Sequence, residues 1–344
     1  MAIYKPQAHL FEGTDQDALI SKLGDPLERL NRTIDWEKFR NELEVVFPTE
    51  GKKKGGRPRM DPILMFKIMI LQKLYDLSDH SMEYQIADRL SFQRFLGIES
   101  IKGIPDEKTI WLFREQIKDS GLVDKLFDKF TDTLRESGLI ANEGKIVDAS
   151  IVEAPRQRNS REENEKIKSG KEVKEWNEAP NKKRQKDVDA SWTKKHGKTH
   201  YGYKDHVKVD RQTKIIEDYE VGTASEHDSQ VLESLISREQ DEGQELWADS
   251  AYRSEKIEEI LKSKRVKSQI HEKGKRGKPL DKRAQKRNTK KSKVRARVEH
   301  VFGFMHQKMG GLKVRTIGID RAAVQVGLAN LTYNICRAEF LIRT

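Results

Sequence analysis

Three carboxylates stand out by residue type and setting. Asp148 sits inside the apolar run Lys145-Ile146-Val147-Asp148-Ala149-Ser150-Ile151-Val152. Asp249 follows Leu246-Trp247-Ala248, at the C-terminal end of a predicted strand, and precedes Ser250-Ala251-Tyr252. Glu299 lies in Val298-Glu299-His300-Val301-Phe302, on a predicted helix. Singly, each has an ordinary explanation: an acid at a strand end is usually a turn former, and one on a helix is usually solvated. Together they meet the demand of two-metal phosphoryl chemistry, in which a few carboxylates converge on cations ~3.5–4 Å apart. Strand ends of an α/β sheet are where ligands gather. Oxygen ligands suit Mg²⁺ or Mn²⁺.

Other residues surround this constellation. Arg295 precedes Glu299 by four and His306 follows it by seven, spacings that predict one helix face. Arg295 could orient the carboxylate or hold a scissile phosphate; the alternative is an ordinary Arg–Glu pair. Lys204 and His206, on a predicted strand with His200, could contact phosphate or orient the acids, or simply form a polar strand face. Histidines could ligate a metal by type, but carboxylate chemistry needs none. Gly202 suggests close backbone packing.

The chain has 344 residues, with Lys+Arg 67 against Asp+Glu 56 and a net charge of +11. From Lys273 to Arg297 there are 13 basic residues and one acid, Asp281, so this window alone is net +12. So many like charges in one internal segment repel one another and gain stability from a polyanion. The window leads directly into the helix bearing Glu299, which would deliver DNA to the carboxylates. Lys273, Lys275, Arg276, Lys282, Arg283, Lys286, Arg287, Lys290, Lys291, Lys293 and Arg297 are therefore candidate DNA contacts, with Tyr252, His306 and Lys308 nearby. A second window, Arg156–Lys198, has 14 basic and 8 acidic residues, holds Trp176 and Trp192, and could be a solvated loop. Gly51 to Arg59 is a basic glycine linker. Its Arg57-Pro58-Arg59 resembles a minor-groove hook, the alternative being a plain linker before a helix with Pro62 in its first turn.

At ~150 residues per domain the length suggests two domains. The single cysteine, Cys336, excludes an internal disulfide and a Cys-rich zinc site. No apolar run approaches the ~18 residues of a membrane span, and the N-terminus lacks a signal-peptide pattern. A soluble, cytoplasmic, nucleoid-associated protein without a membrane role is expected. Residues 35–138 read as helices, with Ile63 to Leu74 largely buried and a second helix running from Ser78 to Gly97. After Gly144 three strands come first, then alternating helices and strands, ending in helices Lys293–Lys308 and Arg321–Phe340. This predicts an α/β domain (α+β, mixed sheet) behind an all-helical one.

The ordered motifs resemble the DDE transposases of bacterial insertion sequences, specifically the insertion-sequence-five group. In the first half the resemblance rests on Gly56-Arg57-Pro58 through Asp61-Pro62, Leu74 to Asp79, Phe95-Leu96-Gly97, Pro105-Asp106, Thr109-Ile110 and Phe113-Arg114. In the second half it rests on Val147 to Ser150, His200 to His206, Ala224 to Ser229, Ala248 to Tyr252, and Arg295 to Glu299 with Phe302-Gly303. It implies an RNase H-like fold in which Asp148, Asp249 and Glu299 bind two Mg²⁺ ions, with Mn²⁺ able to substitute. The wider group has a tyrosine three residues before the arginine and a lysine seven after the glutamate. Here those positions are Ser292 and His306.

The domain reading is a helical arm at 1–50, a linker at 51–60, a helical DNA-binding domain at 61–140, and a catalytic domain at 141–344 with basic insertions at 155–199 and 272–293. The expected activity is cleavage at the terminal inverted repeats and joining of the 3′-OH ends to target DNA, by a homodimer on double-stranded DNA. The alternatives are an RNase H-like structure-specific nuclease and a non-catalytic DNA-binding protein derived from a transposase.

Overall fold

The structure, a computed structural model, describes residues 12–46, 59–99, 103–195, 197–274, 277 and 279–344. Its first part is helical: α1 (Glu12–Leu23), α2 (Pro26–Thr33), α3 (Arg40–Val46), α4 (Pro62–Tyr75), α5 (Asp79–Asp88), α6 (Leu90–Leu96), α7 (Glu107–Asp119) and α8 (Leu122–Glu136). Short polar side chains start these helices by accepting otherwise unpaired backbone N–H groups. Asp61 Oδ1 accepts from Ile63 at 2.6 Å before Pro62 opens α4, Ser78 caps α5, and Asp106 caps α7. The continuous helix expected from Ser78 to Gly97 is instead α5 and α6, broken at an extended Arg89 whose guanidinium lies over Tyr75 and Phe92.

The second part interleaves β1 (Lys145–Glu153), α9 (Arg161–Lys168), α10 (Pro180–Lys183), β2 (Ser191–Lys195), β3 (Lys198–Asp210), β4 (Ile216–Thr223), α11 (Asp228–Leu235), α12 (Arg238–Asp241), β5 (Glu245–Trp247), α13 (Glu255–Ser263), β6 (Lys267–Ser268), α14 (Lys282–Arg295), α15 (Glu299–Lys308) and α16 (Ile319–Arg343). The sheet runs β4-β3-β1-β5-β6, with β2 paired to the first residues of β3. β1 is antiparallel to β3 and parallel to β5, and β5 is parallel to β6. This is a mixed, RNase H-like sheet. Gly202 of β3 pairs with Glu153 on one side and Ser191 on the other. A Cβ there would stand 2.1 Å from the Val152 carbonyl oxygen, so only glycine lets the strands approach this closely.

Successive residues of β1 enter different cores, as strand alternation requires. Val147 joins a small cluster with Leu232, Leu235, Leu246, Ile257 and Leu261 under α11 and α13. Ile146 and Val152 join the main core, which also holds Leu43, Phe66, Phe127 and Ile335. The main core is continuous from the helical part into the sheet. α16 links them: its 25 residues, ~37 Å at 1.5 Å each, pack against α2, α4, α7, α8, β3, β4 and α15.

Two segments are more regular than their composition suggests. The Arg156–Lys198 window contains α9, α10 and β2, organised on Trp176, whose Nε1 donates to Glu163 Oε1 at 2.8 Å while Glu163 closes a capping box with Ser160. The helix expected to begin at Lys293 begins at Lys282, capped by Asp281.

Candidate active site

Sheet register sets the centre of the site. Ile146 pairs with Trp247 across the parallel β1–β5 ladder, so two positions further on Asp148 comes beside Asp249. Asp148 is 8% exposed. Its Oδ1 accepts from the Ala149 N–H at 2.9 Å, and its Oδ2 accepts from Arg295 Nη1. Asp249 caps the 3₁₀ turn Ser250–Tyr252, accepting from the Ala251 N–H at 2.7 Å. Burial raises the Asp148 carboxyl above its ordinary pKa, and the Asp249 charge adds to the rise; Arg295, the Ala149 N–H and Lys195 oppose it.

Arg295 ends α14, so the cationic helix delivers a guanidinium onto Asp148. Glu299 does not join the pair. The expected single helix through Arg295, Glu299 and His306 is interrupted by a 3₁₀ turn, Ala296–Val298, whose tighter winding rotates α15 relative to α14. Glu299 is exposed at the start of α15. Among the described residues no group of three His, Cys, Asp or Glu side chains is gathered closely enough to hold a metal ion. The aspartate pair alone offers hard oxygen donors with unbalanced negative charge, which suits a divalent cation such as Mg²⁺; Arg295 supplies part of that balance.

Several expected DNA contacts lie elsewhere. His206 and Tyr252 are both fully buried and share a hydrogen bond of 3.2 Å; burial holds His206 neutral, with its pKa pushed down to about 4. Neither side chain can reach DNA directly. Lys204 is committed to Asp228 Oδ1 at 2.7 Å and the Glu226 carbonyl at 2.6 Å. On α14, Arg287 pairs with Glu272 and Lys291 donates to the Ile270 carbonyl, whereas Lys282, Arg283, Lys286, Lys290 and Lys293 are exposed. Arg297 donates to Arg211 O and Gln212 Oε1. Arg59, Lys273, His306 and Lys308 are exposed. Arg57, Lys275 and Arg276 lie outside the described residues.

Two residues at the site escaped the sequence reading. The His271 N–H donates to the Ala248 carbonyl at 3.1 Å, extending the β5–β6 ladder beside Asp249, and its ring meets Ser292 Oγ at 3.4 Å. Burial and Arg295 lower its pKa while Asp249 raises it. Lys195, on β2, donates to the Ala149 carbonyl at 3.1 Å. A ring at the C-terminal end of a strand was a usable signal for His271; nothing local marks Lys195.

The mixed sheet, with Asp148 within β1 beside Asp249 just past the end of β5, defines the class, an RNase H-like α/β protein with an acidic site. The chain belongs to the transposase DDE domain family, which matches residues 141–335, more than half of its length. A second family, described as a transposase domain (DUF772), matches residues 14–116. It is thus a DDE-type transposase, a DNA-binding class whose domains generally use divalent metal ions. The chain is also similar to the piggyBac transposase in a cryo-EM structure of its synaptic complex with hairpin DNA, at 11% identity and a TM-score of 0.45, over 92% of this chain and 75% of that one. No helix among the described residues is long and apolar enough to cross a membrane.

Proposed function

We propose that the protein is a cut-and-paste transposase of the insertion-sequence-five group, with Asp148 and Asp249 as ligands of two Mg²⁺ ions, replaceable by Mn²⁺, and with Glu299, which stands apart from the pair in this structure, brought to them as the third ligand when DNA and metal bind. The observation that carries this reading is the adjacency of Asp148 and Asp249 at neighbouring strands, inside the span matched by the DDE domain, with Arg295 on Asp148. Bound divalent ions supply Lewis-acid stabilisation of charge on the attacking and leaving oxygens. The chain's own residues do the rest. Asp148 and Asp249 fix carboxylate oxygens on a rigid sheet. Arg295 neutralises Asp148 and stands where it can hold the scissile phosphate. Lys195 ties the β2–β3 hairpin to β1 beside Asp148. Water attacks the phosphorus at the element end, the P–O3′ bond breaks, and the freed 3′-OH attacks a target phosphorus in the same way.

The exposed lysines of α14 track the DNA backbone, and the helical part reads the terminal inverted repeats. Two ends per element call for a homodimer on DNA. The test is a supercoiled plasmid carrying the gene with its native flanks, incubated with protein and Mg²⁺ or EDTA, beside Asp249→Ala. Metal-dependent cuts at both flanks and joined products, absent from the variant, are the expected outcome. Cutting without joining would indicate a nuclease; binding without cutting under any metal would indicate a non-catalytic DNA-binding protein.

A further inference from the structure

A cleft of about 530 Å³ opens beside the aspartates, and its lining is of two kinds. Ile151 and Leu312 give it an apolar floor, and Lys195, Lys198, His200 and His306 stand around it. Its acid, Glu153, is already engaged by His200 Nδ1 at 3.2 Å. The cleft is a built feature. The segment from Gly310 to Val314 is stitched to the end of β1: the Glu153 N–H donates to the Leu312 carbonyl at 3.1 Å, and the Val314 N–H donates to the Glu153 carbonyl at 2.9 Å. Gly311 has φ +87°, and a Cβ on it would stand 3.1 Å from His306 Nδ1. The opposite wall is the β2–β3 hairpin, held to β1 through Lys195 and the Ala149 carbonyl at 3.1 Å.

We infer that this cleft seats the sugar–phosphate backbone of the cleaved strand next to the scissile phosphate, with deoxyribose against Ile151 and Leu312 and phosphate at Lys195, Lys198 and the two histidines. This rests on the transposase reading. The path is short: Ser150, which lines the cleft, lies two residues beyond Asp148, ~6.6 Å along a strand, or about two base-pair rises of 3.4 Å. An apolar floor with a cationic rim matches a sugar–phosphate chain. A protein partner would require a broader apolar area, and a free metal ion would require more acid than Glu153.

The test uses the full chain in EDTA, so that it binds without cutting, on duplexes of the element's flank. Each duplex carries one uncharged methylphosphonate linkage near the cut site mapped in the plasmid assay. Wild type should lose affinity several-fold when the neutral linkage falls one or two nucleotides from the cut. Lys198→Ala should bind more weakly at the outset, be indifferent to that linkage, and keep its sensitivity elsewhere. Its slope of log affinity against log salt should fall by about 0.9, the value of one phosphate contact. Lys198→Arg should restore the wild-type pattern, which separates loss of contact from loss of fold. A full wild-type interference pattern in Lys198→Ala would overturn the assignment. Wild-type protein that binds none of these duplexes would overturn the transposase reading and the cleft's role with it.

Discussion

Asp205 is fully buried where β3 meets α16, and Asn330 Nδ2 donates to its Oδ1 at 3.1 Å. The other two oxygens of this pair, Asp205 Oδ2 and Asn330 Oδ1, are buried without partners among the described residues. A proton on Asp205 lets its hydroxyl donate to Asn330, satisfying both. Burial pushes the Asp205 pKa up to about 7, against about 3.9 in an unfolded chain. Between those values the folded state holds more protons, so this contribution to stability is complete below about pH 4 and is lost as pH rises through 7. Asp205→Asn supplies a permanent donor. Thermal melts should show a shallower pH dependence for the variant between pH 4 and 7, and a Tm at pH 8 equal to or above wild type; a lower Tm at pH 8 would contradict this pairing. At this scale the sequence was legible where a residue's local setting determines its role. Asp148 in an apolar run and Asp249 after one could be singled out without coordinates. His206 and Tyr252 could not be assigned correctly, because alternation along β3 does not reveal that α11 packs over that strand and over the Tyr252 turn.

At the scale of an element, α14 shows how a strongly basic segment stays folded. Three of its cations have protein partners: the exposed Arg287 on Glu272, and the half-buried Lys291 and Arg295 on a carbonyl and on Asp148. Its outward lysines at 282, 286 and 290 repeat every fourth residue, so they share one exposed face. Replacing these three by alanine should lower the salt slope of DNA binding by up to about 2.7 at ~0.9 per phosphate contact. Melting should be nearly unchanged, because exposed charges contribute little to stability. An unaltered slope would show that DNA does not run along this face. Charge counting found the window, but which of its cations pair with the protein depends on Glu272 and Asp148, which only the folded chain brings near.

The whole molecule is organised by α16. The helical part and the sheet share one core through it, so neither half can shed the other without exposing much of a helix whose buried residues include Leu328, Leu331 and Ile335. Unfolding followed at Trp36, in the helical part, and at Trp247, in the sheet, should therefore give coincident transitions. Two well-separated midpoints would contradict a shared core. The order of helices and strands was legible from periodicity and turn residues. The shared core was not, because a late amphipathic segment does not say which earlier surfaces it will cover.

The claim that Asp249 is a metal ligand is tested most directly by changing the ligand atom. A thiolate is a poor ligand for Mg²⁺ and a better one for transition ions. Asp249→Cys, assayed for cleavage at the element ends, should be inactive in Mg²⁺ and regain cutting in Mn²⁺, while binding DNA in EDTA as wild type does. Cleavage by the variant in Mg²⁺ at the wild-type rate, or none in either ion with DNA binding intact, would contradict direct ligation by Asp249.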